Sequence, residues 1–391
     1  MRAAASEPSS RGDRDLEERR VAPLELFFDL VFVFAITQVT GFLSDHPTWP
    51  GLARGLALLA ALWWAWVGYS WLTNNAVLAE EATPARLVVL AAMGAMLVAS
   101  LAVPGAFGEA GVLFGGAYFV VRLLHLALYA FTTGDSPEAR RAVIGFAPGF
   151  LGGPALLVVA GSLDGTAQGT LWVFALAIDY GAALLRGVAG FRVHAGHFVE
   201  RHGLIIIIAL GESIVAIGVG AARMKLGAGV VLAAILGVVL AAGLWWAYFD
   251  YVALAAERRL IRAEGHERAA LARDSYSYLH LPMVAGIVLV ALGIKKTLAH
   301  VGDPLGTIPA VALCGGVALY LLGHNAFRLR DVGSVSVPRL VATAVSLSLI
   351  PVAVRMPALL TLATTATLLV TLAGYETSHS DEPRRKPRAL S

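Results

Sequence analysis

The sequence predicts an all-α polytopic membrane bundle of about 12 transmembrane helices, built as two parallel six-helix repeats. Three observations carry that expectation: the composition, the spacing of the apolar runs, and related strings at corresponding places in the two halves. Of the 391 residues, 58% are hydrophobic and only 15% are charged, and the mean hydropathy is +0.72. An average soluble chain has about 25% charged residues, and no globular core of this length needs so much apolar surface. The basic residues sit in short clusters between apolar runs. That is a topology signal rather than a nucleic-acid face, so the lipid bilayer is the expected partner and nucleic acid is not. The single cysteine, Cys314, allows no disulfide within the chain.

Residues 1–23 are polar and mixed in charge and lack an apolar h-region. They read as a disordered cytoplasmic tail rather than a signal peptide, and residues 375–391 read the same way. Between the tails, 12 windows each supply the roughly 20 apolar residues that a span needs: 24–43, 51–72, 86–104, 110–131, 142–161, 169–187, 203–221, 228–250, 277–297, 305–324, 338–354 and 357–374. Only Arg355 and Pro357 mark the break between the last two. The first repeat is 24–187, the second is 203–374, and 188–202 reads as a cytoplasmic linker. With the N-terminus inside, the inner segments hold 23 Lys and Arg against 6 outside, and Arg122 lies within span four. This asymmetry places both termini in the cytoplasm of a multi-pass inner (plasma) membrane protein and favours an even number of spans. Trp63, Trp64, Trp66 and Trp71, toward the inner end of span two, read as an interfacial belt.

The halves echo one another. LWWAWVGYSWL from Leu62 in span two matches LWWAYFDYVAL from Leu244 in span eight; LFGGAYFVVRLLH from Leu113 matches LCGGVALYLLGH from Leu313. The offset grows from 182 to 200, which a longer inner loop at 251–276 accounts for. At the first offset, Asp29 of span one maps next to Glu212 of span seven. An even number of spans per half gives both halves the same orientation.

Carboxylates inside the spans are the candidate functional groups, because a charge at mid-bilayer is costly and usually faces a partner or a water-filled path. Glu25, Asp29, Phe32, Ile36 and Thr40 share one helical face, and Arg201, Ile205, Ile208, Glu212 and Val219 form a comparable stripe. Acids flanked by bulky apolar residues suit a cation path with a constriction. They equally suit ion pairs that lock helices together, with Arg122, His125, Arg186 and Arg201 as the available bases. Arg122 needs a partner, and Asp29, Asp179 and Glu212 are all candidates. Asp250 reads as interfacial, and His280 with Tyr278 as groups that hydrogen-bond across helices. His194, His197, Glu200 and His202 carry ligand chemistry without a zinc spacing, so no metal and no cofactor is expected. Ser213 has no general base nearby in sequence, and nothing marks the chain as an enzyme. Gly152-Gly153 and Gly315-Gly316 suit close helix packing, and Pro148, Pro154 and Pro351 are places where a helix could break.

Four strings, RVAPLELFFDLVFVFAITQ, GHFVERHGLIIIIALGESIVAIG, LWWAYFDY and SYLHLPMVAGIVLVALG, together resemble the bacterial low temperature requirement A family over residues 20–375. The family name implies a link to growth in the cold and no settled chemistry. LELFFDLVFVFAIT is also similar, over about 15 residues, to the first helix of six-helix-repeat potassium channels with an Arg-x-x-x-Phe-Ser-Asp signature. Phe28 stands where the serine would be and Pro23 where the arginine would be, which puts potassium selectivity in doubt. That resemblance implies a structural role for Asp29 near a pore and a constriction at Ile36. The leading expectation is a cation channel or ion-coupled transporter for monovalent cations or protons. The alternative is a non-transporting scaffold or sensor supporting growth at low temperature. Homo-oligomerisation is left open.

Overall fold

Lipid offers backbone groups no hydrogen bonds, so each apolar run must satisfy its own. In the computed structural model, which describes residues 21–75, 83–132, 137–188, 193–222 and 224–379, the runs do so as helices. These are α1 (Pro23–Asp45), α2 (Trp49–Asn75), α3 (Thr83–Ala102), α4 (Gly111–Thr132), α5 (Pro137–Ala160), α6 (Gly165–Arg186), α7 (Ala195–Ala221), α8 (Ala228–Arg262), α9 (Gly265–Ala299), α10 (Thr307–Val332), α11 (Val337–Ala353) and α12 (Ala358–His379). Among the described residues, 10 helices are long and apolar enough to cross a membrane. The apolar parts of the remaining two, Ala147–Ala160 of α5 and Val337–Ala353 of α11, are shorter. The tail readings for 1–20 and 380–391 fall outside the described residues, and 375–379, read as the start of a disordered tail, are instead the last turn of α12.

Local chemistry sets the helix ends. Pro23 opens α1 at a position where its missing N–H costs nothing, and Glu25 reaches back to accept from the Ala22 N–H at 2.9 Å. Pro148 and Pro154 lie within an unbroken α5, whereas α11 is interrupted at Leu349, just before Pro351. Two further boundaries differ from the sequence reading. Helix α7 begins at Ala195, so 195–202 is helix rather than linker. Residues 251–276 are also helical almost throughout: α8 runs on through a π turn at Tyr248–Val252, and α9 starts at Gly265 and passes a second π turn at Ala272–Tyr278. Gly265, at φ +50°, makes the reversal between them. At 1.5 Å per residue a 35-residue helix is about 52 Å long. Both α8 and α9 therefore outreach a hydrocarbon core of about 30 Å. The pattern of apolar runs detects spans, and it is silent on polar helix that continues past the bilayer.

Helix α1 packs on α2 and α3, α2 on α4 and α6, α3 on α4, α4 on α5, and α5 on α6. The same relations recur six helices later: α7 with α8 and α9, α8 with α10 and α12, α9 with α10, α10 with α11, and α11 with α12. Across the halves, α1 and α2 each touch α7 and α9. Glu25 meets Arg201 near the start of α1 and α7, and Thr37 meets Glu212 further along both. Helices α1 and α7 therefore run parallel, as six steps along the chain from one to the other require when each helix reverses direction.

Helices come closest where glycines face each other. A methyl group on Gly316 would lie 2.8 Å from the Gly286 carbonyl oxygen, and one on Gly286 would lie 2.7 Å from that of Gly316. Gly316→Val is accordingly expected to force α9 and α10 apart at a cost of about 1–3 kcal/mol. The check is the thermal unfolding midpoint in detergent, with Gly94→Val, where the added group meets open space, as control. Equal midpoints for the two variants would refute the close-packing account.

Candidate functional site

The buried charges gather where α1, α2 and α7 meet. Arg201 is 1% exposed and projects its guanidinium between the two acids of α1. One terminal nitrogen donates to Glu25 Oε1 at 3.0 Å and to Thr73 Oγ1 at 2.5 Å; the other donates to Asp29 Oδ1 at 3.2 Å. Asp29 Oδ1 also accepts from Trp66 Nε1 at 2.7 Å. Residues four apart on α1 face the same way, so a single cation reaches both carboxylates.

His197, one turn before Arg201, completes the cluster. The Asn74 amide is oriented by the backbone of His194, accepting from its N–H and donating to its carbonyl, both at 3.0 Å. Its nitrogen therefore faces His197 Nδ1 at 3.0 Å as a donor. That makes Nδ1 the acceptor and leaves Nε2–H to donate to Glu25 Oε2 at 2.8 Å. The imidazole is neutral in this arrangement, so two carboxylates share one guanidinium. Asp29 Oδ2 and Arg201 Nε lie buried without a hydrogen-bond partner among the described residues. A void of about 10 Å³ borders Glu25 and Arg201, close to the minimum that holds one water.

Glu212 sits further along the same interface, 3% exposed. Thr37 of α1 donates to its Oε2 at 2.6 Å, and among the described residues it forms no ion pair; Lys295 of α9 acts on it through space. Ile36, beside Thr37, is 1% exposed and packs in the core. The α1 stripe is buried from Glu25 to Thr40, whereas the α7 stripe ends at an exposed Val219.

The other candidates divide into separate clusters. Of the three acids open to it, Arg122 of α4 faces Asp179 of α6 at 3.5 Å, and Tyr118 donates to the same carboxylate at 2.8 Å. Gly153 leaves the space, since a methyl there would lie 2.8 Å from Asp179 Oδ1. His125 is buried nearby against Tyr69 and Phe150. His280 Nδ1 donates to the Ser275 carbonyl at 2.9 Å, so its Nε2 accepts from the Tyr248 hydroxyl at 2.8 Å, and Tyr278 donates to the Tyr180 carbonyl at 2.6 Å. Ser213 is fully buried, and its hydroxyl has no hydrogen-bond partner among the described residues. Asp250 is half-buried in the π turn of α8, and the Arg186 side chain lies outside the described residues. Three of the four groups weighed as metal ligands diverge: His197 binds Glu25, His202 bonds the Phe198 carbonyl at 2.8 Å, and Glu200 is exposed.

Two features were missed from sequence. The tryptophans of α2 form no interfacial belt: Trp63 and Trp66 are fully buried, and Trp63 and Trp71 donate to Ser277 of α9, each at 2.8 Å. The second is a charge cluster in the other half. Arg339 of α11 donates to Glu376 of α12 at 2.7 and 2.9 Å, to the Ala247 carbonyl at 3.0 Å and meets His324 at 3.1 Å. Arg339 is the second residue of the window 338–354, and Glu376 lies in the segment 375–391 read as a tail, so neither counted among the intramembrane charges.

Apolar helices closed around buried ion pairs define a multi-pass α-helical membrane protein. The chain belongs to the bacterial low temperature requirement A protein (LtrA) family, whose model matches residues 20–374. It is 31% identical over 312 residues to an uncharacterized protein of Rhizobium meliloti (strain 1021), covering 76% of this chain and 75% of that one. No solved structure matches the chain.

Proposed function

We propose that the protein is a cation channel or ion-coupled transporter whose ion-responsive groups are the carboxylates between α1 and α7. One observation carries the reading. Glu25, Asp29 and Glu212 lie buried along this interface; among the described residues Arg201, on Glu25 and Asp29, is the single arginine or lysine paired with any of them, and Asp29 Oδ2 has no donor. Burying net negative charge in a bilayer costs several kcal/mol unless a proton or a cation neutralises it. Exchange of that neutralising ion is the elementary step of ion coupling. Glu212, held by a hydroxyl rather than a guanidinium, is the group freest to exchange it.

The reading places the chain in the inner membrane with both termini cytoplasmic, as the charge asymmetry favours. It treats the bundle as a duplicated six-helix unit, which the recurring helix neighbours support. The alternative, a non-transporting scaffold or sensor supporting growth at low temperature, draws on the same Arg201 contacts, which hold α1, α2 and α7 together.

Proton and monovalent-cation flux in proteoliposomes separates the two. Glu212→Gln keeps a hydrogen-bond acceptor for Thr37 and is expected to fold normally while lowering flux at least tenfold. Flux equal to wild type in Glu212→Gln and in Asp29→Asn would remove these acids from any ion path. No flux in the wild type would turn the assignment to the scaffold.

A further inference from the structure

Glu212 and Lys295 are unpaired charges on neighbouring helices. Glu212 of α7 is 3% exposed and accepts from the Thr37 hydroxyl of α1, with Thr40 of the same helix beside it. Lys295 of α9 is half-buried and forms no ion pair among the described residues. It lies near enough to act on Glu212 through space. An unpaired buried carboxylate is costly in a bilayer, and so is a lysine held between helices. The proposed ion path uses the first and gives the second no role.

The two helices are close where these charges lie. Helices α7 and α9 pack together and, two steps apart along the chain, run in the same direction. A methyl on Gly220 of α7 would lie 3.8 Å from the Lys295 carbonyl oxygen. One on Gly237 of α8 would lie 3.0 Å from Ile217 of α7 and 3.1 Å from Ile294 of α9, so these two isoleucines stand at one level. Counting from that level at 1.5 Å per residue puts the Lys295 backbone about 9 Å beyond Glu212, toward the outer ends of both helices. Side chains on a helix slope toward its N-terminus, so Lys295 projects back toward Glu212. Its flexible four-carbon stem crosses much of the gap. Lys296, next along α9, is half-buried and feels the charge of Asp45 at the outer end of α1. Lys295 thus stands between Glu212 and the outer mouth of the α1–α9 seam.

We infer that Lys295 is the resident counter-cation of Glu212: its ammonium closes onto the carboxylate when the exchangeable ion leaves, and a monovalent metal cation entering from the outer side displaces it. The inference rests on the reading of Glu212 as the exchange site. One positive charge leaves as one arrives, so the buried acid is neutralised in both states. The carboxylate and the hydroxyls of Thr37 and Thr40 are hard oxygen donors, which suit such a cation.

The test is a double-mutant cycle on the full chain in nanodiscs, read as the thermal unfolding midpoint in choline, sodium and potassium chloride at equal ionic strength. Choline is too bulky for a packed helix interface, so in choline chloride the ammonium stays on the carboxylate. There Lys295→Gln and Glu212→Gln are each expected to lower the midpoint, with the double variant no lower than the worse single. Lys295→Arg, which keeps the charge, is expected to stay near the wild type. In sodium or potassium chloride the loss from Lys295→Gln is expected to shrink by at least half, because the ion takes the place of the ammonium. Additive losses in choline chloride, or a Lys295→Arg loss equal to that of Lys295→Gln, would overturn the pairing. A Lys295→Gln loss of the same size in all three salts would overturn the exchange. The midpoints need no transport, so Glu212-dependent flux beside an uncoupled cycle would remove Lys295 alone.

Discussion

Replacing Arg201 by methionine is expected to be the most damaging single substitution in the α1–α7 interface. It leaves Glu25 and Asp29, 2% and 1% exposed, as buried carboxylates without their shared cation. Removing one partner of a buried ion pair costs about 3–5 kcal/mol, because the remaining charge stays desolvated. The Arg201→Met protein should lose most of its thermal stability in detergent. Its rescue should be specific: adding Glu25→Gln and Asp29→Asn removes the stranded charges and should restore much of the loss. A triple variant no more stable than Arg201→Met would show that Arg201 acts through packing against Trp66, whose ring lies 5.7 Å from its guanidinium carbon, and not through charge.

Arg339→Met should be the corresponding lesion in the second half. It strands Glu376 and frees the Ala247 carbonyl and His324, so α8, α10, α11 and α12 lose their common tie. The Glu376 carboxylate is 21% exposed, and solvent softens its loss to about 2–3 kcal/mol. Glu376→Gln should cost less, since it keeps an acceptor for Arg339 and Arg339 keeps the Ala247 carbonyl. Thermal melts of the two single variants and the double variant give the coupling. A coupling energy near zero would mean that the pair contributes nothing net.

Much of the architecture was legible because lipid imposes a coarse grammar. Twenty-residue apolar runs and flanking bases mark spans whatever their neighbours are, and each of the 12 windows coincides with a helix. The shared face of Glu25 and Asp29 followed from a spacing of four, and Arg201 was among the bases considered. Which base meets which acid was not legible. Arg122 and Asp179 are 57 residues apart, and Arg201 and Asp29 are 172 apart; pairing at that range is decided by the angle at which helices cross, which leaves no local trace. The tryptophans of α2 misled for a related reason. An indole N–H suits a membrane interface and a buried carboxylate alike, and composition does not distinguish the two. The extensions of α8 and α9 escaped notice because their sequence is polar, so the measure that finds spans ends where the hydrocarbon does.

The long reach between Arg201 and its acids also bears on how the protein is made. Arg201 follows Glu25 by 176 residues and Asp29 by 172. At about 5–20 residues per second, the ribosome needs roughly 9–35 s to supply the cation after the acids have emerged. During that interval α1 must wait at the translocon, stay protonated or borrow a neighbour, and five further helices are synthesised before its counter-charge arrives. Helix α1 is thus completed only once α7, made well after it, supplies the missing charge.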